Sequence, residues 1–373
     1  MKAVIDVREW QTAIDMCSGY PCSFSGPQAE QMRHIAATLP YPGDRGLQGI
    51  DWVFKGAQEA LGFNDPQWLC LNFTQPYFAG LNRPEDTRER TAGVQAILRG
   101  IEELAAANNF ARVIVGGGRL AQKQGIIHLP ETKGVLQGTA WINGMAGIYH
   151  AEGGDLDKIS NIPHLKQLVC KTEIGDRHAH PLFIEQFPDI LLIGESGWGF
   201  KGFYSNNIPY YRIDTQVERL PVYSEIGLPG HIEDIYGLMR QALDKGQKVL
   251  LSIIEGIDEN DFPEAILVNN RRDWYTYGSY SLYYTLVSGK TFYDFELPPV
   301  FDMTRIKPYP ESYPFSMPLD ELCTDSLGRQ SNIRTAAVGS RSMITHSIIN
   351  ADFTIDCFMR SLANMGVMVA INS

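Results

Sequence analysis

The stretch Gln247-Lys-Val-Leu-Leu-Ser-Ile-Ile254-Glu255-Gly256-Ile257-Asp258 decides the fold. From Val249 to Ile254 only Ser252 interrupts the apolar side chains, and nothing alternates with period two. A strand written this way is buried on both faces, as the inner strands of parallel sheets are. It runs into a glutamate and a glycine, which places a carboxylate at the carboxyl edge of the sheet, where open α/β folds collect ligands. Asp261 lies just beyond. Some way further on comes Tyr277-Gly-Ser279-Tyr-Ser-Leu-Tyr-Tyr-Thr285-Leu-Val-Ser288-Gly289, a serine-rich turn able to supply a nucleophile facing those carboxylates.

Outward from this strand, apolar runs alternate with striped helical ones. Trp68-Leu-Cys-Leu-Asn-Phe73 is short and bounded by turn signals. Arg88 to Asn109 reads as a helix, with Val94, Ile97, Leu98, Ile101 and Leu104 on one face and arginine and glutamate on the other. Ala111-Arg-Val-Ile-Val115 follows and enters Gly116-Gly-Gly118, completing a strand–helix–strand unit. Asp189-Ile-Leu-Leu-Ile193 is another buried-type strand. A helix opening at His231-Ile-Glu-Asp, striped by Ile235, Leu238, Met239 and Leu243, leads into the Gln247 segment. Near the end, Phe358, Leu362 and Met365 fit a helix stopped by Gly366, before a terminal strand Val367–Ile371. The expected fold class is α/β, a mostly parallel central sheet with helices on both faces. The strands at Trp68–Phe73, Val113–Val115, Ile190–Ile193 and Val249–Ile254 are expected in one sheet. Residues 1–373 read as a single domain with long decorating loops, of which 290–330 is an extended proline-rich excursion.

Composition narrows the partners. The chain has 373 residues, a formal charge of −11 and no run of lysine and arginine, which argues against nucleic acid. No apolar run is long enough to span a bilayer. Met1-Lys-Ala-Val-Ile-Asp-Val7 reads as a first strand and is too short and polar for a signal peptide. Of the six cysteines, Cys70 and Cys170 sit in strand-like runs as buried thiols, and Cys17-x4-Cys22 lacks the second pair a structural zinc site needs. Free thiols without a signal imply a cytoplasmic protein.

Several clusters are candidates for chemistry, each with a plainer alternative. Glu255, Asp258 and Asp261 are spaced by three on a turn leaving a strand and suit a metal or substrate; a solvated acidic loop looks the same. Ser279 needs a base or metal to become a nucleophile, and its aromatic surroundings fit a packed helix start equally well. Gly116-Gly117-Gly118 with Arg119 can cradle an anion, although it lacks the spacing of known phosphate loops and suits a tight turn. On a strand, His178 and His180 would face one side and share a metal with Asp176; in a loop they are surface residues. His231 opens a helix after a glycine. Trp198, flanked by glycines beside a strand end, is placed to line a pocket for a small anionic substrate.

Four segments carry a resemblance. Thr285-Leu-Val-Ser288-Gly289 is similar to the Ser-Leu-Val-Thr-Gly run of type I phosphodiesterases and nucleotide pyrophosphatases of the alkaline phosphatase superfamily. In that family the nucleophile lies nine residues earlier, which lands on Ser279. The strand ending in Glu255-Gly256 resembles the one ending in a metal-binding Asp-Gly. Lys166–Glu173 and Pro188–Phe200 resemble a late segment with a Gly-Trp/Tyr-x-Phe turn. The family's Asp-x-x-Gly-His falls on Asn72–Leu81, which has neither the carboxylate nor the imidazole, and its Asp-His-Gly falls on Val115–Gly118. The segment order is that of a circular permutation.

The resemblance implies an alkaline phosphatase-like sheet. It implies a metal-dependent hydrolase or transferase acting on a small phosphate, phosphonate or sulfate ester. Ser279 would attack, and Glu255 with Asp258 or Asp261 would hold a divalent metal (zinc, magnesium or manganese). His231, matching in order, or the His178/His180 pair would complete the set. The alternative is a degenerate scaffold with no metal, serving as a binding or assembly protein. A third reading is an unrelated α/β enzyme.

Overall fold

The computed structural model describes residues 2–6, 12–15, 23, 25–43, 46–82, 87–138, 144–175, 179–200, 211–213, 217–277, 279–294, 327–329, 332–339, 351–356 and 367–371. Ten strands form the main sheet: β1 Lys2–Asp6, β2 Thr12–Asp15, β3 Trp68–Phe73, β4 Phe110–Gly116, β5 Arg219–Ser224, β6 Lys248–Ile254, β7 Ile266–Asn269, β8 Thr335–Gly339, β9 Phe353–Asp356 and β10 Val367–Ile371. Their order is β7-β5-β4-β6-β3-β8-β9-β1-β10-β2. From β4 through β1 every pairing is parallel, whereas β5 runs antiparallel to β4 and β7, and β10 antiparallel to β1. The opening strand of the sequence, β6, lies inside this parallel block, between β4 and β3.

Helices α1 Pro27–Thr38, α2 Leu47–Asn64, α3 Gln75–Asn82, α4 Thr87–Asn108, α5 Asp234–Asp244 and α6 Ser279–Ser288 flank the sheet. One core holds Leu69, Leu71 and Phe73 of β3 and Leu250 and Ile254 of β6, against Met32 and Ile35 of α1, Val53 and Ala57 of α2, and the Val94, Ile97 and Ile101 stripe of α4. The other face of the same strands presents Trp68, Cys70, Leu251 and Ile253 to Ile235 and Met239 of α5 and to Leu282, Tyr283 and Leu286 of α6. This two-sided burial is why the strands read as continuous apolar runs, and each large aliphatic side chain so buried contributes roughly 1.5–3 kcal/mol. The Cys70 thiol is fully buried, and burial raises its pKa far above the ordinary thiol range, which makes it inert packing.

The strand Ile190–Gly194 departs from expectation. It lies in a separate four-stranded antiparallel sheet with Val135–Gly138, Met145–Tyr149 and Leu165–Cys170. Its run is apolar because it too has two buried faces. Leu191 and Ile193 point into the core shared with the main sheet, and Ile190 and Leu192 into a small core of their own with Ile127, Ala146, Ile148 and Phe200. Cys170, at the end of its strand, is only half-buried. The helices α1 and α2 had no counterpart in the sequence reading. The terminal strand is present as β10, while the helix over Phe358–Met365 and most of the 290–330 excursion fall outside the described residues.

Candidate functional site at the carboxyl edge

Three strands end level at one edge. Ile254 is in register with Phe73 on one side and Gly116 on the other, so Glu255, Thr74 and Gly117 leave the sheet side by side. The backbone closes this edge first. Glu255 donates its N–H to the Phe73 carbonyl at 2.9 Å, and Gly117 donates to the Ile254 carbonyl at 2.7 Å. The Gly117 amide, considered above for an anion, is therefore used inside the sheet. A Cβ there would stand 3.2 Å from the Cα of Glu255, so the glycine serves the close approach of two strand ends. Arg119, two residues on, is exposed. Gly256 has φ +80, and a Cβ on it would sit 2.7 Å from the Cα of Tyr77 in α3, which makes glycine necessary on both counts.

Along β6 the side chains alternate, and Glu255 falls on the same face as Leu251 and Ile253, under α6. Its carboxylate is 1% exposed. The Tyr283 hydroxyl of α6 donates to Oε1 of Glu255 at 2.7 Å and accepts a hydrogen bond from Nδ2 of Asn72. Asn72 shares the α6 face of β3 with Trp68 and Cys70, and Tyr283 and Asn72 are both fully buried. Oδ1 of Asn72 has no hydrogen-bond partner among the described residues. A line of three polar side chains thus runs beneath α6: amide, phenol, carboxylate.

The other acidic residues are used differently. Asp261 accepts from both terminal nitrogens of Arg90 in α4, with Nη1 at 2.7 Å, and Nη2 of Arg90 also donates to the Gly256 carbonyl at 2.7 Å. The Asp258 N–H donates to Oδ2 of Asp261 at 3.0 Å, and Oδ1 of Asp258 accepts from the Asn260 N–H at 2.9 Å, an Asx turn. The loop after Glu255 is therefore folded around a guanidinium.

The remaining candidates lie in other settings. His231 contacts Oε2 of Glu233 through Nδ1 at 3.2 Å, and Glu233 is ion-paired with Arg272. His231 also bridges to Asn269 at the sheet's β7 edge. His180 caps the short helix Pro181–Gln186, its Nδ1 accepting from the Leu182 N–H at 3.3 Å. His178 lies outside the described residues. Trp198 stacks on His164, with ring centroids 3.4 Å apart and planes 5° from parallel, in the small core around Ile127 and Phe200. Ser279 is the first residue of α6, one helical turn ahead of Tyr283.

The donor set can be tested against a divalent metal. Among the described residues, no group of three or more His, Cys, Asp or Glu side chains is placed to hold one. Glu255 is a single carboxylate already bonded to a phenol, and Asp261 has a cation where a second one would be repelled. The described residues do not fit the metal site that the resemblance implies.

Sequence reasoning passed over Asn72, Tyr283 and Arg90. Two of them carried a signal. Asn72 interrupts an apolar strand on the face of Trp68 and Cys70, and Tyr283 sits four residues after Ser279 on the same helix. Arg90 looked like an ordinary exposed residue of a striped helix. No family model, no curated protein and no solved structure matches the chain.

Proposed function

We propose that this chain is a degenerate, circularly permuted relative of the alkaline phosphatase superfamily, working as a binding or assembly protein rather than as a metal-dependent hydrolase. The observation that carries this reading is the fate of the acidic residues at the carboxyl edge. Asp261 is neutralised by Arg90, and Glu255 is buried and bonded to the Tyr283 phenol, which Asn72 holds in turn. The kinship is supported by geometry: the segments likened to the family's metal-binding motifs, Asn72–Leu81, Val115–Gly118 and Glu255-Gly256, leave three adjacent parallel strands at one level. The small, anionic nature of the ligand is carried over from the resemblance to phosphoesterases, and the lack of a nucleic-acid partner rests on the −11 charge and the absence of lysine and arginine runs in the sequence. No helix among the described residues is long and apolar enough to cross a membrane, and a cytoplasmic location rests on the free thiols.

One observation favours the second reading, a hydrolase or transferase of small phosphate, phosphonate or sulfate esters with Ser279 as nucleophile. Ser279 opens the helix whose next turn touches Glu255. A single comparison separates the two: elemental analysis of the purified protein together with assays on activated phosphate mono- and diesters in the presence of zinc, magnesium or manganese. The expected result is no stoichiometric metal and no turnover. Metal-stimulated turnover lost in Ser279→Ala would establish the hydrolase and overturn the scaffold reading.

A further inference from the structure

On the opposite side of the same edge, the start of α2 is a second polar feature that the network under α6 does not involve. Gly46 precedes the helix with no side-chain cap, and its first turn contains no acidic residue. The first-turn amides of a helix have no intrahelical acceptors, and the helix dipole makes that end electropositive. Facing it is Gln75, the first residue of α3. Gln75 is 3% exposed, and neither Oε1 nor Nε2 has a hydrogen-bond partner among the described residues. A Cβ at Gly49, in the first turn of α2, would stand 2.9 Å from Nε2 of Gln75, and also 2.9 Å from the carbonyl oxygen of Gly43. Only glycine at 49 lets the buried amide come this close to the helix start.

Two helix N-termini, α2 and α3, therefore converge on one buried primary amide with no hydrogen-bond partner among the described residues. Burying such an amide opposes folding, so its retention calls for a ligand. Leu47, the first residue of α2, is 49% exposed. Oε1 of Glu89 in α4 lies 3.9 Å from where a Cβ on Gly46 would stand, close enough to complement the dipole there, and it makes no hydrogen bond to Gln75.

We infer that the α2 start and Gln75 form a binding site for an anionic oxygen group, a phosphate or a carboxylate, with Nε2 of Gln75 and the first-turn amides of α2 as donors. The inference rests on the reading of the chain as a binding protein, and it assigns the chemical class of ligand.

The test is titration of the full chain with inorganic phosphate, and in parallel with acetate, at constant ionic strength set by chloride. Both the unfolding midpoint and the glycine amide signals of 15N-glycine-labelled protein are followed. Saturable stabilisation is expected with at least one of the two anions, with shifted signals for Gly46 and Gly49. Which anion binds more tightly identifies phosphate or carboxylate as the group. Gln75→Leu should weaken binding by about tenfold or more, the effect of losing one hydrogen bond to a charged group. Without added anion it should be at least as stable as the parent, because the unpaired amide is gone. Should Gln75→Leu not fold, Gln75→Glu keeps the shape and repels the anion, and it should abolish the response. No saturable response to either anion, an unchanged response in the folded variants, or shifts confined to glycines elsewhere would overturn the site. None of these outcomes depends on ester turnover, so the site and the scaffold reading fail separately.

Discussion

Asp155, in the small antiparallel region, and Glu255, at the edge of the main sheet, are both carboxylates at 1% exposure, and they are held in opposite ways. Asp155 takes its hydrogen bonds from the backbone: Oδ1 accepts from the Lys133 N–H at 2.9 Å, and Oδ2 from the Gly134 and Glu152 N–H groups at 2.9 and 3.1 Å. Glu255 is reached by a side chain, the phenol of a helix that follows it in sequence. A carboxylate closed by three backbone amides, two of them from a segment more than twenty residues away, fixes the paths of both chain segments and leaves no capacity for chemistry. One closed by a side chain on another element holds two elements together and can be reopened when that side chain moves. The buried acid of the small region is a folding staple, and that of the main sheet is a functional candidate.

The largest effect expected from this contrast is at Asp155. Asp155→Ala leaves three amides without their acceptor and should lower the unfolding midpoint more than any other substitution discussed here, with hydrogen exchange accelerated at Lys133, Gly134 and Glu152. The amides of Lys133 and Gly134 also hold the Asp155 carboxyl below the usual carboxylate range. A group whose folded pKa is depressed stabilises the fold above its unfolded pKa, and that contribution is lost as pH falls through the folded value. For an aspartate the loss starts below about pH 4. Unfolding midpoints measured from pH 6 downward should therefore fall less steeply in Asp155→Ala than in the parent. Parallel curves would show that the staple is dispensable.

Tyr283→Phe comes next. It removes the hydroxyl that donates to Glu255 and accepts from Asn72, leaving two buried polar groups without that partner, at a cost of about 1–3 kcal/mol. Denaturant unfolding measures it. A loss near zero would mean that water or another group replaces the phenol, and the carboxylate would then be open rather than sealed.

The same contrast shows how much was legible in the residues. The run from Val249 to Ile254 announced a strand buried on both faces, and β6 is one. The identical signature in Ile190–Ile193 announced the same burial and led to the wrong sheet. An apolar run reports that two faces are covered, and says nothing of whether the cover is helices over a parallel sheet or another sheet. Glu255 was legible as the acid leaving a strand. Its surroundings were not, because the Tyr283 phenol reaches it across 28 residues of chain, and Asn72, which donates to that phenol, comes from a neighbouring strand. The acidic spacing of Asp258 and Asp261 was real, yet its meaning hung on Arg90, 171 residues away from Asp261 in sequence. Spacing within a loop cannot name a counter-charge that arrives from a distant helix.

Arg90 provides a smaller test. Its pair with Asp261 is partly open to solvent, with side-chain exposures of 23% and 11%. Screening therefore limits its worth to about 1 kcal/mol in a double-mutant cycle of Arg90→Met with Asp261→Asn. The local consequence should exceed the global one, since Arg90 also holds the Gly256 carbonyl. Amides from Ile257 to Asp261 should exchange faster in Arg90→Met while the sheet stays protected. If the loop stays equally protected, the Asx turn at Asp258 suffices to fold it.

The smallest expected change belongs to Glu255→Gln, and it bears most directly on what the carboxylate is for. The glutamine side chain has the same shape and retains an oxygen that can accept from Tyr283, so the contact beneath α6 survives. Burying an amide costs less than burying a carboxylate, which offsets the weaker hydrogen bond to a neutral acceptor. Stability should therefore move by less than about 1 kcal/mol in either direction, well under the loss in Tyr283→Phe. A residue kept only as a hydrogen-bond acceptor would show that near-neutrality and nothing else. A residue kept for its charge would show unchanged stability together with lost binding of whatever the edge recognises. Denaturant unfolding and ligand titration on the same preparation separate the two, because one reads the phenol contact and the other the charge. If Glu255→Gln destabilises the fold as much as Tyr283→Phe, the negative charge itself is structural, and Glu255 is a staple of the same kind as Asp155.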